Sequence, residues 1–346
     1  MKGNDIIIFG GIDWNMQWQW QQELALRLSK NNRVIFVENT GVRSIKIKDT
    51  KRVLNRLKNF FSSVLGFKSI NKNLVVYSPL FFPFPYNNFF INANAIFISG
   101  SLNSWKESLN FNPKYIFSFI STPLTIKIIN KIPHNFKVFI YTDKMSKSSE
   151  GANRLSYYIK SFAKKSDLCF FSANDLKKEL APYNKKLFHF PGGVDFVKFN
   201  KKINLSLKKK KIIGYIGAVK NIIDFNLIKK ISEKFKDAEV QLVGPLEVPI
   251  DSDLFSKNVK FVGSVPHEKI PDYVNKFDVG IIPYVKNDYT NNISPAKLNE
   301  YLSVGLPCIS TDLKEIKNFN KINKNIVDVC KNNNDFLKSI KNHLNM

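Results

Sequence analysis

The chain has 346 residues, enough for two domains that each bury a core. Its 44% hydrophobic and 13% aromatic content describes a folded globular protein, and no uninterrupted apolar run reaches the ~18–20 residues that span a bilayer. The net charge of +25 invites a nucleic-acid reading, but only six of the 53 basic residues are arginines and none follows Arg154. Base readout relies on arginine forks, so the expectation is no nucleic-acid partner. The charge is then either a solvated lysine surface or a surface suited to anionic lipid headgroups.

Residues 6–10 read as a first core strand rather than a signal peptide, because no long apolar stretch and cleavage site follow. A helix over 18–29 and a strand over 33–38 come next. The basic, amphipathic stretch 51–67 carries Val53, Leu57, Phe60, Phe61 and Val64 near one face, which suits either a core helix or a membrane edge. Short apolar runs at 74–78, 95–98, 115–119, 137–141 and 168–172 continue the strand series. Cys169 and Cys308 fall inside apolar strands, so they read as reduced core residues. With Cys330 the cysteines are odd in number and far apart, and the expected compartment is cytoplasmic.

Phe190-Pro-Gly-Gly-Val-Asp195, followed by a polar tract to Lys211, punctuates the chain. Beyond it, strands are expected at 211–216, 238–243, 259–262, 279–283 and 307–310, with helices at 226–234 and 270–276. Strand, helix, strand at this spacing implies parallel, doubly wound sheets. The expected organisation is α/β: two Rossmann-like domains facing a cleft, one over 1–190 and one over 191–330. A C-terminal helix in 331–346 is expected to return to the first domain.

The stretch from Ser294 to Thr311 reads as a short helix ended by Gly305, then a buried strand. Ser294 suits the cap and Pro295 the first turn. Leu298 and Leu302 face the core, while Lys297 and Glu300, three apart, share another edge. A cation near a helix start with a carboxylate one turn later suits a sugar nucleotide: diphosphate at the helix N-terminus, ribose hydroxyls on the carboxylate. The plain alternative is a surface ion pair worth a few tenths of a kcal/mol.

Taken in order, Ile213-Gly-Tyr-Ile-Gly-Ala218, Gln241-Leu-Val-Gly-Pro245, Asn258-Val-Lys-Phe-Val-Gly263, Val279-Gly-Ile-Ile-Pro-Tyr284 and the 294–311 stretch resemble the donor-binding domain of a GT-B glycosyltransferase. The likeness is to the large family-four type, including bacterial enzymes of surface-polysaccharide (teichuronic-acid-type) synthesis. In the first half Ile12-Asp-Trp-Asn15 with Gln17, Gln21 and Gln22, Val37-Glu-Asn-Thr-Gly-Val-Arg43, Phe82-Pro-Phe-Pro85, Ile140-Tyr-Thr-Asp143 and Pro191-Gly-Gly-Val-Asp195 agree. The resemblance implies a metal-independent, usually retaining transfer from a UDP- or GDP-sugar to a glycan or lipid-linked acceptor, without cofactor. With a lipid-linked acceptor the 51–67 stretch would lie on the cytoplasmic leaflet, so the expected place is the cytoplasm or the inner face of the membrane.

By the same resemblance, Gly217 and Ala218 bring backbone N–H groups to the diphosphate and Glu300 holds the donor ribose. The first glutamate of the family's paired motif would fall at 292, where this chain has Asn292. The cations that many members carry after the first glycine turn are missing, which leaves Lys297, with Lys220, to neutralise the leaving diphosphate. On the acceptor side Asp13, Trp14 and Asp143 fall at strand ends. Asp13 suits orienting a hydroxyl, and Trp14 suits either a sugar face or the core. Asp251-Ser-Asp253 resembles a metal motif but reads as a solvated turn, and the four histidines lack ligand spacing. The competing readings are a sugar-nucleotide epimerase of the same fold and a non-catalytic lysine-rich binding module.

Overall fold

The structure, a computed structural model, describes residues 1–16, 18–40, 54, 58, 63–142, 144, 154–200 and 210–344. The chain divides into two units, Met1–Phe190 and Pro191–Met346, each considered by itself.

The first unit runs β1 (Asp5–Phe9), α1 (Trp20–Leu28), β2 (Arg33–Val37), β3 (Phe67–Asn71), β4 (Leu74–Tyr77), α2 (Asn88–Ser108), β5 (Pro113–Ser118), α3 (Pro123–Ile129), β6 (Phe136–Tyr141), α4 (Leu155–Lys164), β7 (Leu168–Phe171), α5 (Asn174–Leu180) and β8 (Leu187–His189). Its sheet has the order β3-β4-β2-β1-β5-β6-β7-β8, parallel except for β3 on β4. Because successive side chains on a strand point to opposite faces, β1 feeds two cores. Ile7 and Phe9 pack with Ile98, Leu102, Leu124 and Phe162 from α2, α3 and α4, and Ile6 and Ile8 pack with Ala25 of α1. A bidentate pair from the Arg33 guanidinium to Asp5, at 2.7 and 2.6 Å, ties the starts of β1 and β2 together.

One expected strand is a helix. Residues 95–98 lie within α2, whose first N–H groups, from Phe89 and Phe90, donate to the Asn87 side chain. Ile91, Ala95, Ile98 and Leu102 are buried at helical spacing, while Ile96 and Phe97 between them are exposed. The run is apolar on both faces, which hides the 3.6-residue period and imitates a buried strand. The helix expected over 51–67 lies mostly outside the described residues. At its end Val64 is exposed and Phe67 opens β3.

The second unit runs α6 (Phe196–Phe199), β9 (Ile212–Ile216), α7 (Phe225–Lys234), β10 (Glu239–Val243), β11 (Val259–Gly263), α8 (Ile270–Val274), β12 (Val279–Ile282), α9 (Ala296–Ser303), β13 (Cys308–Thr311), α10 (Lys314–Ile322), β14 (Asp328–Cys330) and α11 (Asn333–Leu344). The sheet is wholly parallel, in the order β11-β10-β9-β12-β13-β14. Its strands read as near-continuous apolar runs because helices cover both faces. In the C-terminal helix α11, Phe336, Leu337, Ile340 and Leu344 are buried in the second unit's own core.

All three cysteines are free and buried. Burial pushes the thiols of Cys169 and Cys330 up to about 12 and that of Cys308 higher still, so they pack as inert apolar groups. No helix among the described residues is long and apolar enough to cross a membrane.

Candidate donor site and the relatives of the chain

Three neighbouring strands, β10, β9 and β12, end side by side, and the first turn of α9 comes up beside them. After β9 the chain turns at Gly217, whose φ of +123° suits glycine alone. Gly244, after β10, packs against that turn. A side chain there would place its Cβ 2.1 Å from the Gly217 carbonyl oxygen. The two glycines therefore let two strand ends approach within backbone contact.

Lys297 reaches this turn from α9. A Cβ on Gly217 would lie 3.3 Å from Lys297 Cε and 3.4 Å from Nζ. The ammonium donates to the Tyr284 hydroxyl and lies 5.1 Å from the ring centre of Tyr215 and 5.0 Å from that of Tyr284. The Tyr215 ring and the Tyr284 hydroxyl hold the cation in place from two sides. Tyr215 is itself fixed, its hydroxyl donating to the Ala218 carbonyl at 2.9 Å. Burial pushes that phenol well above its ordinary range, so it acts as a neutral donor. Tyr284 is held through its carbonyl, which accepts from Thr311 Oγ1 at 2.7 Å.

Glu300, one turn on from Lys297, keeps some exposed surface, yet its carboxyl is surrounded by dense protein. Burial pushes its pKa up to about 7, with Lys297 pulling the other way. A carboxyl poised near neutrality beside a cation can exchange its proton when a ligand arrives. Tyr301 anchors the helix beneath. Its hydroxyl accepts from the Ile216 N–H at 3.1 Å, and its ring fills the space that the missing Gly280 side chain leaves. Asn299 donates to the Gly192 carbonyl at 2.6 Å, tying α9 to the Pro191-Gly-Gly segment.

Gly217, Ala218, Lys297 and Glu300 are thus gathered at one place. Lys220 follows half-buried, its carbonyl accepting from the Ile223 N–H. The cap is corrected: α9 starts at Ala296 with Pro295 in the cap position and no side-chain capping bond, so Ser294 lies one residue too early. Asn292 is 1% exposed, and its amide donates to the Asp288 carbonyl at 2.6 Å while its Oδ1 has no hydrogen-bond partner. Sequence reasoning missed Tyr215, Tyr284 and Gly244. The signal was present, because each falls at or just past the end of an expected strand. Asp251 caps a short turn, its side chain accepting from the Asp253 N–H. An open groove of about 610 Å³, lined by Lys317, Lys321, Asp328 and Lys338 among others, contains none of the site residues.

In the first unit Asp13 and Trp14 follow β1. The Trp14 N–H donates to Glu38 Oε1 at 2.7 Å, and Ser78 Oγ donates to Glu38 Oε2 at 2.7 Å. Gln22 donates to the Trp14 carbonyl at 3.3 Å, and Gln21 accepts from the Gly11 N–H at 2.7 Å. The Trp14 ring meets Phe36 and Trp18 edge-on at 5.1 and 5.7 Å, so it packs on the core. Asp143 lies outside the described residues.

Residues 210–345 match the family described as Glycosyl transferases group 1. A Bacillus subtilis (strain 168) protein, TuaH, provisionally described as a teichuronic acid biosynthesis glycosyltransferase, is 28% identical over 157 residues, 42% of this chain. The match spans 40% of that protein's length. Among solved structures, a sucrose-phosphate synthase from Thermosynechococcus elongatus superposes with a TM-score of 0.68 at 12% identity, covering 99% of this chain and 90% of that one. A glycosyltransferase from Rickettsia africae gives 0.63 at 12%, covering 100% and 89%. A structure from Listeria monocytogenes described as a UDP-N-acetylglucosamine 2-epimerase gives 0.52 at 11%, covering 99% and 88%. These likenesses establish the fold, GT-B with two Rossmann-like domains, and do not by themselves choose a chemistry.

Proposed function

We propose that the chain is a glycosyltransferase that moves a sugar from a UDP- or GDP-sugar to a growing cell-surface polysaccharide or lipid-linked glycan. One observation carries the reading: the Lys297 ammonium is held by two tyrosines against the Gly217 turn, one helical turn from Glu300. Backbone N–H groups at a glycine turn and a helix start, with one fixed cation, suit a diphosphate. Glu300 in its ionised form suits a pair of ribose hydroxyls, each donating to a carboxylate oxygen. The match to the group 1 family and the likeness to TuaH support the same activity.

In the transfer, the bond from the anomeric carbon to the diphosphate oxygen breaks as the acceptor hydroxyl oxygen bonds to that carbon. Negative charge gathers on the leaving diphosphate, where Lys297 neutralises it, so the interaction strengthens on the way to the transition state. The acceptor proton passes to the leaving phosphate oxygen, giving retention without a dedicated base. Lys297 supplies the positive charge that a metal would otherwise bring, so the proposed reaction is metal-independent. Asp13 and the Trp14 loop, braced by Glu38, are the proposed acceptor side.

The test is a thermal-shift series over nucleoside diphosphates, since a ligand that binds only the native state raises the melting temperature. One or two of them should stabilise the wild type, with the shift reduced in Glu300→Ala and abolished in Lys297→Ala. A lysine-rich binding module would show no such preference, and an epimerase would bind the nucleotide yet turn over its sugar without acceptor.

A further inference from the structure

Helix α2 of the first unit presents an apolar face that takes no part in the site described above. Phe89, Ala93, Ile96, Phe97 and Gly100 recur at helical spacing and form one stripe, facing away from Ile91, Ala95, Ile98 and Leu102 in the core. Phe89 is 74% exposed, Ile96 63% and Phe97 51%. The stripe widens at its start, where Phe82 and Phe84 pack on the Phe90 ring at 5.4 and 4.6 Å and Phe89 meets the same ring at 5.4 Å. Phe82 and Phe84 are themselves about half exposed. The patch runs roughly 17 Å along the helix, from its 1.5 Å rise per residue. Isolated surface apolar groups need no explanation, but a contiguous aromatic patch does.

Cations border it. Lys127 of α3 donates to Asn92 on one flank of the stripe, and the Arg154 guanidinium lies 5.4 Å from the Tyr86 ring centre near the helix start. The surrounding sequence has one sign of charge. Between Asp49 and Asp143 there is one acidic residue, Glu107, against eleven lysines and arginines. A second copy of the chain is a poor occupant, because a two-fold contact would press these cationic borders together at +25 per chain. Phenylalanines bordered by a cation on one flank and another near the helix start suit a surface that is apolar inside and negatively charged at its boundary.

We propose that this face of α2 docks on an anionic lipid bilayer, with Phe82, Phe84, Phe89 and Phe97 among the headgroups and Lys127 and Arg154 on lipid phosphates. The proposal does not depend on the transferase activity. It is tested by co-sedimenting the full chain with phosphatidylcholine vesicles and with vesicles that also contain phosphatidylglycerol. Binding should be about tenfold tighter to the anionic vesicles and should weaken with salt. The Phe89→Ser, Phe97→Ser double variant should lose about tenfold of that binding, with far-UV spectrum and unfolding temperature unchanged. Phe89→Trp gives a direct readout that does not depend on removing apolar groups: its added emission should move to the blue only with anionic vesicles. Three results would overturn the proposal: no difference between the two vesicle types, full binding by the double variant, or no blue shift. A vesicle-independent dimer in sedimentation equilibrium that the double variant dissolves would also overturn it and assign the face to a second copy.

Discussion

The ammonium of Lys297 and the hydroxyl of Tyr284 are hydrogen-bonded at the ends of two elements thirteen residues apart, with the Tyr215 ring on another side of the same cation. The lysine is therefore held in place before any ligand arrives. A preorganised charge costs no reorganisation when negative charge develops on a leaving group. Lys297→Ala should lower kcat/KM by about 10²–10³-fold. Tyr284→Phe keeps the ring and removes only the hydroxyl, so it should cost about three- to tenfold, a net hydrogen bond to a charged group. Steady-state kinetics with a fixed acceptor separate the two, and equal losses would show that the hydroxyl does not place the cation.

The raised pKa of Glu300 gives a stability signature with a defined sign. The folded state holds this proton up to about pH 7, while the unfolded chain releases it near 4.5. Stability from this group is complete below about pH 4.5 and falls as pH rises through 7, because the folded state binds more protons in that window. Glu300→Gln should leave stability unchanged near pH 4.5 and raise it by up to roughly 3 kcal/mol at pH 8, at 1.36 kcal/mol per unit. Urea unfolding at the two pH values measures this.

The same carboxyl predicts how donor binding responds to pH. An ionised Glu300 accepts from hydroxyls, a protonated one less well. Affinity for an intact nucleotide sugar, whose diphosphate diester does not titrate near neutrality, should rise from pH 6 to pH 8. In Glu300→Gln it should be flat and weaker. Isothermal titration at both pH values checks it.

Gly244→Ala should be among the most damaging small substitutions in the second unit. The new Cβ would meet the Gly217 carbonyl, a backbone atom that cannot swing aside, at a φ of +148°. Strain of this kind costs about 1–3 kcal/mol before the clash is relieved. Relief would displace the Gly217 turn, so nucleoside diphosphate affinity should fall with stability. A control at exposed Gly100, inside α2, where nothing lies within 4 Å of an added Cβ, should leave affinity unchanged and raise stability by up to about 1 kcal/mol, alanine being the better helix residue.

Glu38, 2% exposed, braces the Trp14 loop through one oxygen and Ser78 through the other. Glu38→Ala should cost about 2–3 kcal/mol, as hydrogen bonds to a charged group are lost and donors are left buried. Beyond that, acceptor KM should rise more than donor KM if this loop holds the acceptor. Bisubstrate kinetics on the folded variant decides between the two.

Much of this architecture was legible because a parallel sheet covered on both faces writes its strands as unbroken apolar runs. The runs at 212–216, 239–243 and 279–282 could be read within a residue or two. The strand β3, Phe-Lys-Ser-Ile-Asn, could not, because four of its five residues face solvent on an edge. The run at 95–98 misled for the opposite reason, being apolar toward solvent as well as toward the core. Within the site, Lys297 and Glu300 were visible from their spacing on one helix. Tyr215 and Tyr284 were not paired by any spacing, since their approach depends on β9 and β12 becoming neighbours. The cap at Ser294 failed by one residue, the distance between the cap position and the one before it.

The bond from Ile216 to Tyr301 joins positions 85 residues apart, and each strand between them reaches its neighbour only through a crossover. The cation's cradle therefore depends on the closure of several long crossovers. A nucleotide that binds only the native cradle should lengthen the lifetime of the native protein against unfolding.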